Sequence, residues 1–283
     1  MEKQKSLARE YMIIVSLVIF FTVVTFVGAF RLFMLDETAE IDLETIDVIE
    51  QNANIDYNSY NAQIANLIEK EYGIEVYYGS RINVESVNAV NITDSKDIFN
   101  MLVNISNSLE KYPDDLVRII EQKGYTVSIY LVDYFNNNME ALANRNTIGQ
   151  FKIYISNTYD IERAFHHEFY HIMDYYIKLE RNQTMLYKDW NLYNPKGFEY
   201  VHDVSNITSK YVYFGEMGAY FVTAYAKFSE TEDRAETFAE MITRENSMEY
   251  FAASAHVIGK MNIIKYVLNS TFETARLEDS FKW

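Results

Sequence analysis

His167-Glu168-Phe169-Tyr170-His171 is the stretch whose reading decides the fold. Ala164, Phe165, Phe169, Ile172 and Tyr176 recur around it at helical intervals, so these residues sit on a helix with one face packed into a core. Residues four apart on a helix share a face. The two imidazoles therefore point at one spot, and Glu168, one position along, points at a water bound there. Two histidines at this spacing with an intervening glutamate are the ligands and base of zinc peptidases. The alternative is a polar helix face whose histidines hydrogen-bond to their neighbours. Two observations stand against it. Of the 5 histidines in the chain, three are His166, His167 and His171. A buried helix face carrying His, Glu and His without a metal would also leave several polar groups to satisfy.

The whole chain of 283 residues, 49% hydrophobic, suffices for one substantial domain with accessory segments. Lys3, Lys5 and Arg9 precede an uncharged run from Tyr11 to Phe30. As a helix rising about 1.5 Å per residue, that run matches a hydrocarbon layer roughly 30 Å thick. The basic residues before it, and Asp36, Glu37 and Glu40 after it, place the N-terminus in the cytoplasm and the rest outside. A cleaved signal peptide ending near Val27-Gly28-Ala29 is the competing reading and gives a secreted protein. Continuation of the apolar run through Leu32-Phe33-Met34-Leu35 favours the anchor. The expected organisation is a basic tip and transmembrane anchor over 1–35, an acidic spacer over 36–58, and an α+β domain over 59–283.

The absence of cysteine excludes disulfides and thiolate chemistry, so a metal site must draw on His, Asp or Glu. A net charge of −16 and a pI near 4.7 oppose binding to nucleic acid and to anionic headgroups. An exported chain without disulfides, rich in Asn, Ile, Lys and Tyr, points by composition to a bacterium.

Within the domain, the patterns predict helices over Tyr60 to Tyr72, Asp94 to Lys111 and Pro113 to Gln122, with strands at Ile74 to Tyr78 and Tyr125 to Val132. Phe151 to Ile155 alternates as a half-buried strand, read either as an edge strand that aligns a substrate or as an ordinary strand. Asn157 or Thr158 is expected to cap the metal helix. The irregular aromatic stretch from Arg181 to Tyr213 reads as a lid or an insertion. Helical patterns return over Gly218 to Ala226, Glu232 to Arg244 and Met248 to Leu268.

A catalytic zinc takes three protein ligands and keeps one open position. In the extended metzincin motif a third histidine follows six residues after the second. Here that position is Ile177, and the usual glycine is Asp174, which excludes that class. Asp174 instead suits a role in orienting His171 or a neighbour. Downstream, Glu232 and Glu236 are spaced to face the metal helix together, with Ser229 or Thr231 as the cap of their own helix. The plainer reading of these carboxylates is a solvated acidic helix start.

Two patterns together resemble the zinc metallopeptidases related to anthrax lethal factor and the Pro-Pro endopeptidases, within the gluzincin group. One is HEFYH, close to that family's HEFGH, with Asp174 at an acidic position soon after. The other is Tyr225, then Glu232, then Ala235 and Glu236. The resemblance implies a zincin-like fold, α+β with a small mixed sheet and an HExxH helix. It also implies Zn2+ held by His167, His171 and Glu232, with Glu236 supporting a ligand and Tyr225 assisting catalysis. The chain departs from the pattern at Tyr170, where the family has glycine, at Phe228 and Ser229, and in a longer gap before Glu232. The implied activity is hydrolysis of a peptide or protein substrate, with Glu168 as the base. An inactive zinc-binding or interaction module, or a toxin-like secreted peptidase, would fit a chain that has kept the fold for another use.

Overall fold

The computed structural model describes residues 56–272 apart from 81, 114, 138, 146–148, 159, 182–185 and 216. The expected membrane run and most of the spacer lie outside the described residues. Among the described residues, no helix is long and apolar enough to cross a membrane.

Helix α1 (Tyr57–Tyr72) begins where the Asp56 carboxylate accepts the Ser59 N–H, and ends at Gly73, whose φ of 72° suits glycine. Strands β1 (Glu75–Tyr77) and β2 (Ala89–Asn91) are short. Helix α2 (Ser95–Leu109) is capped by Asp94, which accepts from the N–H groups of Lys96 and Asp97. Next come α3 (Asp115–Glu121), β3 (Thr126–Phe135), β4 (Ala141–Arg145), β5 (Gln150–Ser156) and α4 (Ile161–Glu180). A long irregular stretch leads to α5 (Glu230–Thr243), α6 (Ser247–Tyr250) and α7 (Ala255–Thr271).

The strands form one mixed sheet in the order β1-β3-β5-β4, with β2 also paired to β3. β1, β3 and β5 run parallel, whereas β4 is antiparallel to β5 and β2 to β3. Val127, Ile129 and Leu131 of β3 lie in register with Phe151, Ile153 and Ile155 of β5, and all six are buried in the main core. The other sheet face carries a row of rings, Tyr77 on Tyr130 on Tyr154, each pair 4.8 Å apart. Helix α4 runs through the core and buries Phe165, Phe169, Tyr170, Met173 and Ile177 almost completely. Each such side chain contributes about 1.5–3 kcal/mol on leaving water, which makes α4 a rigid platform. All five apolar positions from which that helix was inferred are buried.

Several expectations need correction. β5 is not an edge strand, because β3 and β4 flank it; the edge belongs to β4, a short strand without clear alternation. Asp160, rather than Asn157 or Thr158, caps α4 by accepting the Arg163 N–H. The 181–213 stretch is not a detached lid: Tyr187 and Trp190 are buried in the core. Gly218 to Ala226 does not form a helix. Tyr213 N–H bonds to Phe221 O across an isolated bridge, and the backbone then tightens into a 3-10 turn at Tyr225–Lys227. The last helical pattern divides because Ser254 caps α7 through Val257 N–H while its own hydroxyl donates to Ala219 O.

Candidate metal centre

The Asp160 cap fixes where α4 starts and therefore where its polar stripe faces. Two turns on, His167 Nε2 and His171 Nε2 lie 3.1 Å apart. Ser229 caps α5 by accepting the N–H of Glu232, which sets that residue in the first turn against α4. Glu232 Oε2 is 3.0 Å from His167 Nε2 and 3.3 Å from His171 Nε2. Farther along, Asp174 accepts from Arg234 at 2.8 Å, both side chains buried, which ties α4 to α5 beside the triangle. The Arg234 guanidinium also lies 4.5 Å from the Tyr187 ring centroid.

Two ring nitrogens and one carboxylate oxygen thus converge, and these three residues form a group able to hold a metal ion. Their separations test the fit. A tetrahedral zinc with bonds of about 2.0–2.1 Å has ligand atoms roughly 3.3 Å apart. The observed edges of 3.0 to 3.3 Å match one face of such a tetrahedron. The donor set of two imidazoles and a carboxylate is also one that zinc accepts.

Glu236, one turn beyond Glu232 on α5, is buried, and its Oε1 lies 2.8 Å from His167 Nδ1, though without the alignment of a hydrogen bond. Its Oε2 accepts from Arg163 and from the Thr223 hydroxyl, each at 2.5 Å. A carboxylate beside Nδ1 leaves Nε2 of the same ring free for a metal, the usual support for a histidine ligand. Arg163 reaches on to Glu240, which in turn accepts from Arg244.

Glu168 turns toward the sheet, where its Oε2 accepts the backbone N–H of Ala143 on β4. Ser156 N–H bonds to Glu140 O, which fixes the alternation of the antiparallel pair and turns the backbone groups of Ala141 and Ala143 away from β5. Tyr225 stands at the mouth, 39% exposed, with its ring 6.2 Å from that of His167 and stacked on Phe228. His166 points elsewhere: its Nδ1 lies 2.6 Å from the Tyr112 hydroxyl in the interior. His202 is near Phe228 and His256 stacks on Tyr220, away from the triangle's contacts.

Electrostatics sort these groups by task. Burial alone would lower His167, but Glu232 and Glu236 outweigh it and hold the imidazole up at about 10 in the metal-free chain. Burial would raise both carboxylates, yet His167 and His171 keep Glu232 well below the ordinary range. His167, Arg163 and Thr223 keep Glu236 at about 2. Glu168 is raised, first by burial and then by Glu232, against the opposing pull of the histidines and the Ala143 N–H. Burial and the three nearby carboxylates raise Tyr225, so its phenol keeps its proton.

Of the residues singled out in the sequence, His167, His171 and Glu232 form the triangle, Glu236 and Tyr225 lie against His167, Glu168 binds the Ala143 N–H, and Asp174 reaches α5 through Arg234. Three participants were missed. Arg163 lies one helical turn before His167, and that spacing was a usable signal. Thr223 and Ala143 carried none, since their roles depend on how an irregular turn and a short strand pack.

No family model and no curated protein sequence matches this chain. A solved structure from Bacteroides caccae, provisionally described as a zinc-binding metallo-peptidase, is 17% identical with a TM-score of 0.49, over 81% of this chain and 93% of that one.

Proposed function

We propose that this chain is a zinc-dependent endopeptidase of the lethal factor and Pro-Pro endopeptidase type. The observation that carries the reading is the convergence of His167, His171 and Glu232 within tetrahedral edge lengths, with Glu168 beside them. Zinc bound there would supply Lewis acidity, polarising a scissile carbonyl and lowering the pKa of water.

The side chains account for the rest. Glu168, buried and raised, accepts a proton from the attacking water and returns it to the departing amine. Tyr225, which keeps its proton, donates to the oxyanion that develops on the substrate. The outward backbone groups of Ala141 and the Ala143 carbonyl offer an extended peptide an edge to pair with, a task that passes from β5 to β4, while the Ala143 N–H is taken by Glu168. Arg163 and Glu236 hold His167 in place. The apolar run over 11–30 anchors the chain in a membrane with the site on the extracytoplasmic side, as the flanking charges indicate.

Metal analysis of the purified chain and cleavage of a diverse peptide library, with Glu168→Gln as control, test this reading. Zinc at one per chain and cleavage lost in Glu168→Gln are expected. Bound zinc with no cleavage would instead leave a binding module, and absence of zinc from a well-folded chain would overturn the proposal.

A further inference from the structure

The turn that carries Tyr225 is fastened to the metal centre through one hydroxyl. Thr223 Oγ1 accepts the N–H of Ala226 at 3.2 Å and donates to Glu236 Oε2 at 2.5 Å. The other oxygen of the same carboxylate faces His167 Nδ1. Glu236 therefore serves two structures at once, the imidazole below and the turn above. The turn is short: Lys227 N–H bonds to Ala224 O and Phe228 N–H to Tyr225 O. On its far side Lys227 donates to the carbonyls of Thr208 and Lys210, and Ala226 is completely buried. Tyr225 itself is 39% exposed, and among the described residues its side chain is located by ring contacts with His167 and Phe228. Its height over the site is thus set by its backbone, and on the side of the metal centre by Thr223.

We propose that Thr223 is a positioning residue that holds the Tyr225 phenol at the height needed to meet the developing oxyanion. Its hydroxyl binds the turn of Tyr225 to the carboxylate that orients His167. Any adjustment of that carboxylate is passed to the phenol, so ligand and oxyanion donor are kept in register. Arg163 donates to the same Oε2 independently of the turn, so Glu236 remains anchored when the hydroxyl is removed. This assignment rests on the peptidase reading and adds to it a role for a residue that touches neither metal nor substrate.

The test compares Thr223→Val, which keeps the shape and removes the hydroxyl, with Thr223→Ser, which keeps the hydroxyl, in the full chain loaded with zinc. Thr223→Val is expected to lower kcat on a cleaved library peptide on the order of 10²-fold, the scale of a 1 Å misplacement. KM and the zinc content should stay near those of the parent chain. Thr223→Ser should restore most of kcat, and adding Thr223→Val to Tyr225→Phe should cost little more than Tyr225→Phe alone. Hydrogen exchange supplies a readout apart from activity: the Ala226 amide should exchange faster in Thr223→Val but not in Thr223→Ser, with α4 amides unchanged in both. Unaltered kcat and Ala226 exchange in Thr223→Val would overturn the inference while leaving the peptidase reading intact. Loss of zinc together with faster exchange throughout α4 would reduce Thr223 to a support of the fold and overturn it too. A parent chain that binds zinc but cuts nothing overturns both.

Discussion

Glu232 and Asp233 are neighbours on α5, and their surroundings differ in one decisive respect. Asp233 is fully buried, and its Oδ2 accepts from Lys260 Nζ at 2.7 Å, Tyr200 hydroxyl at 2.8 Å and Trp190 Nε1 at 3.1 Å. Lys260 also donates to Tyr220 O and lies 4.0 Å from the Phe221 ring centroid. Burial pushes Asp233 up and Lys260 down, and their pairing opposes both shifts. Glu232 faces two imidazoles whose ring nitrogens also face each other, so its neighbours can share protons, and among the described residues no lysine or arginine pairs with it. The first carboxylate has its counter-charge built into the chain. The second sits in a donor set able to hold a dication. Acidity on this helix marks a candidate ligand only where no lysine or arginine reaches the carboxylate, and sequence spacing alone does not report that.

Mutations can break either half of this pair of environments. At the metal centre, Glu168→Gln is expected to reduce kcat by about 10²–10⁴-fold, the usual contribution of a general base, with zinc retained; steady-state kinetics alongside metal analysis would show it. In the sealed cluster, Lys260→Met should cost about 3–5 kcal/mol by stranding the Asp233 charge. The double change Asp233→Leu with Lys260→Met should recover much of that loss. Denaturant unfolding measures both, and zinc bound per folded chain should not change. Tyr225→Phe should lower kcat roughly 10²–10³-fold, as removal of an oxyanion donor does, with stability and zinc content unaffected.

The smallest effect expected is a matter of protons. His167, raised to about 10 from an ordinary 6.5, contributes stability that is complete below 6.5 and is lost as pH rises through about 10. Glu236, lowered from 4.5 to about 2, contributes stability that is present above 4.5 and is lost as pH falls toward 2. Thermal unfolding of the metal-free chain should therefore weaken on both sides of a plateau between about pH 4.5 and 6.5. Zinc requires an unprotonated ring nitrogen, so its binding at pH 7.5 should release about one proton, measurable by calorimetry in buffers of different ionisation enthalpy. A release that did not decline as the pH was raised through about 10 would contradict the assignment of that proton to the His167 site.

The helices of the candidate metal centre were legible because both are amphipathic, with His167 and His171 one turn apart on α4 and Glu232 and Glu236 one turn apart on α5, so local sequence and tertiary placement agree. Ser229 as the α5 cap and the core face of α4 follow from short-range rules that survive packing. The sheet edge was less accessible. β4 is short, and its place beside β5 depends on pairing that no local pattern specifies. Trp190 and Tyr200 fall in the stretch that reads as a lid or an insertion, because their polar neighbourhood in sequence conceals a shared partner, Asp233, far along the chain. Lys260 was invisible for the same reason: a lysine in an apolar helix pattern does not announce the charge that it meets.

That distant lysine also bears on any attempt to shorten the protein. Asp233, Trp190 and Tyr200 lie on segments separate from α7, and all of them meet around the amine that α7 delivers. A fragment ended before Lys260 would keep every residue of the proposed zinc site, His167, Glu168, His171, Tyr225 and Glu232. It would also leave a carboxylate dehydrated and uncompensated directly behind Glu232. Such a truncation should fail as a folded product, not as a catalyst, and α7 belongs inside the smallest expressible unit.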